Sequence, residues 1–222
     1  MRSREFKDAV FEQFARVASA FASPKRIEIV DLLAQGARSV ESIAEEASMT
    51  VGNTSRHLQV LRNAGLVSSS RDAQRVIYRL ADPAVLGGYR ALRELAEARI
   101  AEVRQLAEAF FSEVDGAEPL DVAELLARSE RGDVVVVDVR PPEEYAAGHI
   151  AGALSLPLAE LSRRIDELPP GTTVVAYCRG PYSVLSAAAV TELRSAGITA
   201  RRLDAGIDEW RQAGQPVEAD AR

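Results

Sequence analysis

The sequence predicts two domains, a mostly helical domain in the first half and an α/β domain with a mostly parallel sheet in the second. The chain has 222 residues, enough for two domains of about 100 residues that each bury a core. Its composition, 47% apolar and 27% charged residues, is that of globular proteins. Near residue 113 helical periodicity gives way to short apolar runs alternating with helices. We therefore place the first domain at 1–112, a linker at 113–119 and the second domain at 120–222.

The two halves differ in charge. Residues 1–112 contain 16 Lys and Arg against 14 Asp and Glu, a net charge of +2, whereas residues 113–222 contain 11 against 19, a net charge of −8. Only the first half has a charge suited to binding a polyanion. The sequence has neither a run of about 18 apolar residues nor the apolar core of a signal peptide at its N-terminus, so we expect a cytoplasmic protein without membrane association. One cysteine and two histidines are too few for a zinc site, and we expect no metal and no cofactor.

Three amphipathic helices are predicted before residue 50. Apolar residues at spacings of three and four predict the first helix over residues 4–21. Pro24 suits the first turn of a second helix, which Gly36 ends, and Ser39 is a candidate N-cap for a third helix reaching Ala47. The apolar stripe of the first helix consists of Phe6, Val10, Phe14, Val17 and Phe21.

The segment TVGNTSRHLQVLRNAGL, residues 50–66, predicts a helix with one apolar and one polar face. Thr50 can cap it, Gly65 ends it, and His57 lies between the two faces, where packing or a phosphate contact suits it better than metal ligation. The buried face is expected to hold Val51, Thr54, Leu58 and Leu61. The polar side chains suit base edges and phosphates in a DNA major groove. Together with Thr50, these candidate DNA contacts are Gly52, Asn53, Ser55, Arg56, Gln59 and Asn63.

A basic β-hairpin follows this helix. Leu66–Ser70 and Arg75–Leu80 are strand-like and are joined by residues 71–74. Between Thr50 and Arg79 there are five arginines and one acidic residue. Such a patch suits phosphate contacts, and we assign these to Arg71 and Arg75 at the tip.

A long helix is predicted from Asp82-Pro83 to about Ser112. Its apolar residues follow a near-heptad spacing, which favours pairing with a second copy of the chain. The alternative is that the seam packs on the chain's own core. The seam consists of Tyr89, Leu92, Ala96, Val103, Leu106 and Phe110.

Residues 6–112 resemble an ArsR-type winged helix-turn-helix repressor. The resemblance lies in PKRIEIVDLLAQGARSVESIAEEASM (24–49), TSRHLQVLRNAGLV (54–67) and AQRVIYRLADP (73–83). It implies a homodimer that places two recognition helices in successive major grooves of double-stranded operator DNA. Many members bind metals through cysteines or histidines, but this half has no cysteine and one histidine, which argues against direct metal sensing.

The second half alternates between helices and short apolar runs. The runs VVVVDV and TTVVAY have no polar alternation, as expected of strands covered on both faces. The pattern predicts an open α/β domain with a mostly parallel sheet. Helices are predicted at 121–129, 158–168, 184–195 and 207–213, and strands at 133–139, 153–156, 172–177 and 200–203.

The one cysteine, Cys178, directly follows the strand TTVVAY, at the sheet edge where such domains bind ligands. It opens a tight loop before the helix at Val184. Amides of the loop and the positive end of that helix are expected to lower the pKa of the thiol. The alternative is an inert buried thiol. The other loop residues are Arg179, which adds a positive charge, Gly180, Pro181, Tyr182 and Ser183, which can cap the helix or bond the sulfur.

Residues 120–218 resemble a rhodanese. The motifs are AYCRGPYS (176–183), DVRPPEEYAAGHIAGALSLPLAEL (138–161) and LDAGIDEWRQAGQPVE (203–218). The resemblance implies that Cys178 accepts a sulfur from a small donor such as thiosulfate or polysulfide and holds it as a persulfide. Relatives that act as phosphatases or arsenate reductases have an arginine where this chain has Val184. Many similar fusions have a second cysteine where this chain has Ser183, so no disulfide can form within this loop.

Several nearby residues have structural interpretations. His149 is expected to fix its loop, Asp138 and Arg140 to form an ion pair, and Trp210 to lie in the core. The leading hypothesis is a DNA-binding transcriptional regulator, a repressor, whose Cys178 senses or carries reactive sulfur. The first alternative is a sulfurtransferase enzyme with an attached DNA-binding domain. The second is a repressor whose rhodanese-like domain only mediates protein contacts.

Overall fold

The computed structural model of the protein describes residues 2–114, 116 and 119–220. It divides into two compact units, Met1–Arg99 and Ile100–Arg222, each with its own hydrophobic core. No helix within the described residues is long and apolar enough to cross a membrane. The two units are described separately.

The first unit is mostly helical with one small antiparallel sheet, as predicted. The sheet has the order β1-β3-β2, and β2 and β3 form the wing-like hairpin. Of these elements, only the two-residue strand β1 was not predicted. The elements are α1 (Ser3–Phe21), α2 (Pro24–Ala34), β1 (Arg38–Ser39), α3 (Val40–Glu46), α4 (Val51–Asn63), β2 (Val67–Asp72), β3 (Arg75–Leu80) and α5 (Pro83–Arg99).

Local chemistry accounts for the ends of these helices. Pro24 occupies the first turn of α2, where its missing N–H costs no hydrogen bond. The Ser39 hydroxyl accepts the Ser42 amide at 3.2 Å, and the Thr50 hydroxyl accepts the Asn53 amide at 3.3 Å. Gly65, with φ of +77°, ends α4. The predicted caps at Ser39 and Thr50 are thereby confirmed.

Two expectations for this unit are wrong. Val51 is 45% exposed at the first position of α4, and the buried residues of this helix are Thr54, Leu58 and Leu61. The hairpin connection is also shorter than expected, since β2 continues to Asp72, which pairs with Arg75. A left-handed Ala73, with φ of +49°, permits this two-residue turn.

The predicted long helix is two helices, α5 and α6 (Ala101–Val114), with a break at Ile100. The heptad spacing continues across the break, so periodicity alone could not reveal it. Helix α6 belongs to the second unit. There the Thr191 hydroxyl donates to the Val114 carbonyl at 3.0 Å, and the Arg202 guanidinium lies 3.9 Å from the centre of the Phe111 ring. The predicted seam is thus divided between the two units.

The predicted linker, 113–119, falls partly on Asp115, Ala117 and Glu118, which lie outside the described residues. The division between the compact units comes earlier, at Arg99 and Ile100. The domain limits 1–112 and 120–222 remain predictions.

The second unit is an α/β fold around a four-stranded parallel sheet of order β6-β4-β7-β8. A separate antiparallel pair joins β5 to β9. After α6 come α7 (Val122–Glu130), β4 (Val134–Asp138), α8 (Pro142–Ala147), β5 (His149–Ile150), β6 (Leu154–Ser155), α9 (Leu161–Arg164), β7 (Thr173–Cys178), α10 (Val184–Ser195), β8 (Ala200–Gly206), α11 (Ile207–Gln212) and β9 (Val217–Glu218).

Strand β7 lies at the centre of the sheet and is buried on both faces. Its residues Val174 and Ala176 face the cluster that α10 completes, whereas Val175 and Tyr177 face the cluster that contains Trp210. This confirms the mostly parallel, doubly covered sheet and the core position of Trp210. The predicted helix over 158–168 is instead the short α9 between two 3-10 turns, Leu158–Glu160 and Ile165–Glu167.

Candidate functional site

Helix α4 presents its predicted polar side chains on one exposed surface. Its buried face is formed by Thr54, Leu58 and Leu61, and His57 is half-buried at the flank. The Gln59 amide donates to the Asn63 side-chain oxygen at 2.6 Å, so both amides are already hydrogen-bonded to protein groups. They would have to exchange this bond for base contacts. The exposed candidates are Thr50, Gly52, Asn53, Ser55, Arg56, Gln59 and Asn63.

Arg71 and Arg75 are both exposed on the hairpin but leave opposite faces of it. Arg71 pairs with Val76 and Arg75 pairs with Asp72, and neighbouring residues of a strand point to opposite sides. The pKa of Glu41 lies below its ordinary value through its own backbone hydrogen bond, then the Ser39 hydroxyl and then the charge of Arg75. Arg75 therefore lies near the acidic side chain of Glu41 and pairs with Asp72.

Large apolar side chains of the first unit remain outside its core. In α1 only Ala20 is buried, while Phe6, Phe11 and Phe14 are between 55% and 63% exposed. Leu92 and Leu95 of α5 are exposed as well. These side chains do not pack on the unit's own core, which removes that alternative for them.

Cys178 is the last residue of β7 and its side chain is inaccessible, with the residue 1% exposed. The Ser183 hydroxyl donates to the Cys178 sulfur at 2.8 Å. Ser183 also precedes α10, and its amide donates to the Gly180 carbonyl at 3.1 Å. The predicted position of the thiol between a strand and a helix N-terminus is confirmed. Among the other loop residues, Arg179, Gly180 and Pro181 are partly buried and Tyr182 is exposed.

The expectation that the loop lowers the pKa of Cys178 is wrong. Burial of the sulfur raises the pKa of Cys178 to about 12, although the Ser183 hydroxyl, the charge of Arg179 and the Arg179 amide each oppose the rise. The reason is desolvation. A buried thiolate loses the stabilisation that water would give its charge, and one hydroxyl and one amide replace only part of that stabilisation. At neutral pH Cys178 is therefore a neutral thiol in this conformation.

Arg179 does not offer its charge freely to the loop. Its Nε and Nη2 atoms donate to the Glu144 carboxylate at 3.0 and 2.6 Å, in a side-on pair. The Glu144 side chain is 1% exposed and that of Arg179 is 12% exposed. Glu144 lies in α8, which Pro142 begins. Sequence reasoning missed this partner because it did not predict α8.

A second buried ion pair lies beneath the loop. The Arg140 guanidinium donates to both oxygens of Asp138, at 2.9 Å from Nε and 2.5 Å from Nη2, and also to the Gly148 carbonyl. The Tyr177 hydroxyl donates to the same carboxylate at 2.5 Å and accepts the Ile150 amide at 3.0 Å. The predicted Asp138–Arg140 pair is confirmed, and it anchors the residue directly before Cys178.

His149 fixes its own loop, and Gly206 lies directly beside Cys178. The His149 ring stacks on Tyr145 with centroids 3.7 Å apart, and its Nδ1 lies 2.9 Å from the Tyr145 carbonyl oxygen, consistent with the predicted loop-fixing role. Gly206 pairs with Cys178 across β7 and β8. A Cβ atom at Gly206 would lie 2.1 Å from the Arg179 carbonyl oxygen. Sequence reasoning missed Gly206, for which the only signal was its place at a strand-to-helix corner.

The buried thiol predicts a steep pH dependence of its alkylation. Because the pKa of Cys178 is raised to about 12, the thiolate fraction should rise about tenfold per pH unit from about pH 7 to about pH 10. Iodoacetamide modification followed by intact mass measures this rate, and the single cysteine makes the product unambiguous. The urea-unfolded chain serves as control, since its rate should level off above the free-thiol pKa of about 8.5. A plateau below about pH 8 in the folded protein would contradict the burial argument.

Comparison with known protein families finds matches in both halves. The family described as "Bacterial regulatory protein, arsR family" matches residues 23–69, and the family described as "Rhodanese-like domain" matches residues 121–213. The chain is 44% identical over 215 residues to the HTH-type transcriptional regulator Rv0324 of Mycobacterium tuberculosis, covering 97% of this chain and 94% of that protein. It is 37% identical over 87 residues to a sulfurtransferase of Allochromatium vinosum, covering 39% of this chain and 80% of that protein.

Solved structures resemble one half or the other. The homodimeric winged helix-turn-helix DNA-binding domain of Mb0332 from Mycobacterium bovis is 37% identical, covers 45% of this chain and 91% of that chain, and has a TM-score of 0.42. A rhodanese-related protein from Thermoplasma volcanium is 28% identical, covers 47% of this chain and 100% of that chain, and also has a TM-score of 0.42.

Proposed function

This chain belongs to the ArsR family of bacterial transcriptional regulators, with a rhodanese-like domain after its DNA-binding domain, and on that premise we propose that it regulates transcription in response to reactive sulfur bound at Cys178. The observation that carries the proposal is one thiol at the carboxyl edge of a parallel sheet, bonded by the Ser183 hydroxyl at the start of α10. The same chain presents the exposed polar face of α4, which suits DNA, so a thiol site and a DNA-binding surface occur in one protein.

Operator DNA is the proposed partner of the first unit. The exposed face of α4 offers amides, small residues and Arg56, all suited to a major groove, and Arg71 suits the phosphates beside it. We propose that two copies bind together, since the apolar side chains of α1 and α5 are exposed on a single chain. Two paired recognition helices read half-sites about one helical turn apart.

Cys178 is the proposed sulfur acceptor. In the transfer, the Cys178 sulfur forms a bond to the outer sulfur of the donor, and the S–S bond inside the donor breaks. With thiosulfate the leaving group is sulfite, and with a hydropolysulfide it is the same ion shortened by one sulfur. The product is a persulfide on Cys178, which loop amides and the start of α10 can stabilise as an anion.

Burial of the thiol favours sensing over the enzyme alternative. A sulfur that is inaccessible and protonated at neutral pH reacts only when the loop admits water and the donor, which slows every cycle. A sensor needs one modification, whereas a sulfurtransferase needs repeated turnover. Sustained thiocyanate production from thiosulfate and cyanide, lost in Cys178→Ala, would instead favour the enzyme.

The proposal is tested by operator binding with and without polysulfide. An operator is first selected from random-sequence duplexes, and we expect an inverted repeat. Polysulfide should change the affinity of the wild type about 5- to 150-fold, the usual range of allosteric coupling, and intact mass should show one added sulfur. Cys178→Ala should bind the operator and show neither effect. An equal response of the variant would overturn the sensing role of Cys178.

Arg71→Ala is the matched control for DNA contact. The substitution should weaken DNA binding to the same extent with and without polysulfide. Arg71 lies in the first unit, so the variant keeps the Cys178 site of the second unit unchanged. Loss of one phosphate contact should also reduce the slope of log affinity against log salt by about 0.9. Unchanged affinity and slope would remove Arg71 from the interface.

A further inference from the structure

The loop at Cys178 contains only one cationic side chain, Arg179, and that charge is already matched. We infer that Cys178 accepts sulfur from singly charged sulfane donors, hydropolysulfide or a low-molecular-weight persulfide, and discriminates against the thiosulfate dianion, because Glu144 neutralises the guanidinium of Arg179. This inference rests on the proposed function, in which Cys178 is the sulfur acceptor. It makes Glu144 a positioning residue that sets donor specificity.

The Glu144–Arg179 pair is built into the fold. Two guanidinium nitrogens meet the carboxylate at 2.6 and 3.0 Å, and the carboxylate is almost completely buried. Removing one partner from such a pair is costly, so a donor anion cannot easily take the guanidinium from Glu144. The positive charge of Arg179 lowers the pKa of Cys178 and the negative charge of Glu144 raises it, so the two side chains act on the sulfur in opposite directions.

Backbone groups of the loop add only limited compensation for a dianion. Pro181 has no N–H, and the Ser183 amide is hydrogen-bonded to the Gly180 carbonyl. Val184 stands at the first turn of α10 and brings no charge. The compensation that the structure shows comes from the Arg179 amide, which hydrogen-bonds the Cys178 sulfur, and from the start of α10, equivalent to about half a positive charge. That partial charge suits one negative charge better than two.

The transfer of sulfur also has to account for the proton of Cys178. Cys178 is a neutral thiol at neutral pH because burial raises its pKa to about 12. When the thiol attacks hydropolysulfide, the departing polysulfide anion takes the thiol proton, so thiol plus hydropolysulfide gives the Cys178 persulfide and a hydropolysulfide one sulfur shorter. Both protons and the single negative charge are conserved, one S–S bond forms and one breaks.

The experiment compares the two donors on the full chain. Wild type, Glu144→Gln and Glu143→Gln are mixed with polysulfide or thiosulfate at equal sulfane concentration, and intact mass follows addition of sulfur to Cys178. Glu143 is the matched control, because it is the neighbouring glutamate of α8 and is exposed. Urea unfolding followed by Trp210 fluorescence checks that each variant folds.

The wild type should load from polysulfide at least about tenfold faster than from thiosulfate, the scale of one unpaired charge a few ångströms away. Glu144→Gln removes the negative charge that faces Arg179 and should raise the thiosulfate rate selectively, about fivefold or more by the same electrostatic scale. Glu143→Gln should leave the ratio of the two donor rates unchanged.

Equal rates for the two donors in the wild type would overturn the inference without any variant. So would a folded Glu144→Gln with the wild-type ratio. Loading by neither donor would overturn the proposed sulfur acceptor as well, which separates the two failures.

Discussion

Asp138→Asn should lower the free energy of unfolding of the second unit by about 3–5 kcal/mol, the cost of leaving a buried charge without its partner. Arg140 is 1% exposed and its guanidinium depends on both Asp138 oxygens. Burial alone would lower the pKa of Arg140, but hydrogen bonds and the charge of Asp138 hold it above its ordinary value. The asparagine removes that stabilisation and retains the burial.

The single tryptophan makes this measurement specific. Trp210 is 4% exposed in the core of the second unit, so its fluorescence during urea titration reports unfolding of that unit. Asp133→Asn is the control, because Asp133 pairs with Arg131 at the surface and its loss should cost less than about 1 kcal/mol. Equal midpoints for the two variants would show that the buried pair contributes no more than the exposed one.

Gly206→Ala should displace the Cys178 loop and cost about 1–3 kcal/mol of stability, as overpacking usually does. The new Cβ would lie 2.1 Å from the Arg179 carbonyl oxygen, 2.3 Å from its carbon and 2.6 Å from the Gly180 nitrogen. These are backbone atoms, which cannot rotate away. The φ of Gly206, −103°, suits any residue, so the cost is steric rather than conformational.

The displaced loop should expose the sulfur. Iodoacetamide should therefore label Cys178 of Gly206→Ala faster than the wild type at one fixed pH, and sulfur loading should change with it. Gly148→Ala is the comparison, because its Cβ would meet the end of the Arg211 side chain, which can move. Wild-type labelling and wild-type stability in Gly206→Ala would rule out the close approach as a constraint on the loop.

Much of the fold follows from local patterns in the sequence. Helix α10 covers Val184–Ser195, the predicted range, because its apolar periodicity is long; the Ser183 hydroxyl does not cap it and bonds the Cys178 sulfur instead. The caps at Ser39 and Thr50 and the position of Cys178 at a strand end were predicted from residue types that act within a few positions. Short-range chemistry of this kind is visible in a single sequence.

The features that were missed depend on short elements or distant neighbours. Strands β1, β5 and β9 have two residues each, too few for any alternation to be seen. The break at Ile100 leaves the apolar repeat intact. Glu144 contacts Arg179 across 35 positions of the chain, and Gly206 pairs with Cys178 between two strands, so neither contact has a local signature.

The hydroxyl of Ser183, 2.8 Å from the Cys178 sulfur, bears on how the proposed persulfide would be removed. A thiol at that distance could attack the modified sulfur and discharge it as a disulfide, whereas an alcohol cannot. Because the sequence has a single cysteine, removal of the proposed persulfide would need a thiol from another molecule. Under the proposed function, the concentration of reducing thiols in solution would then set how long the modification of Cys178 lasts.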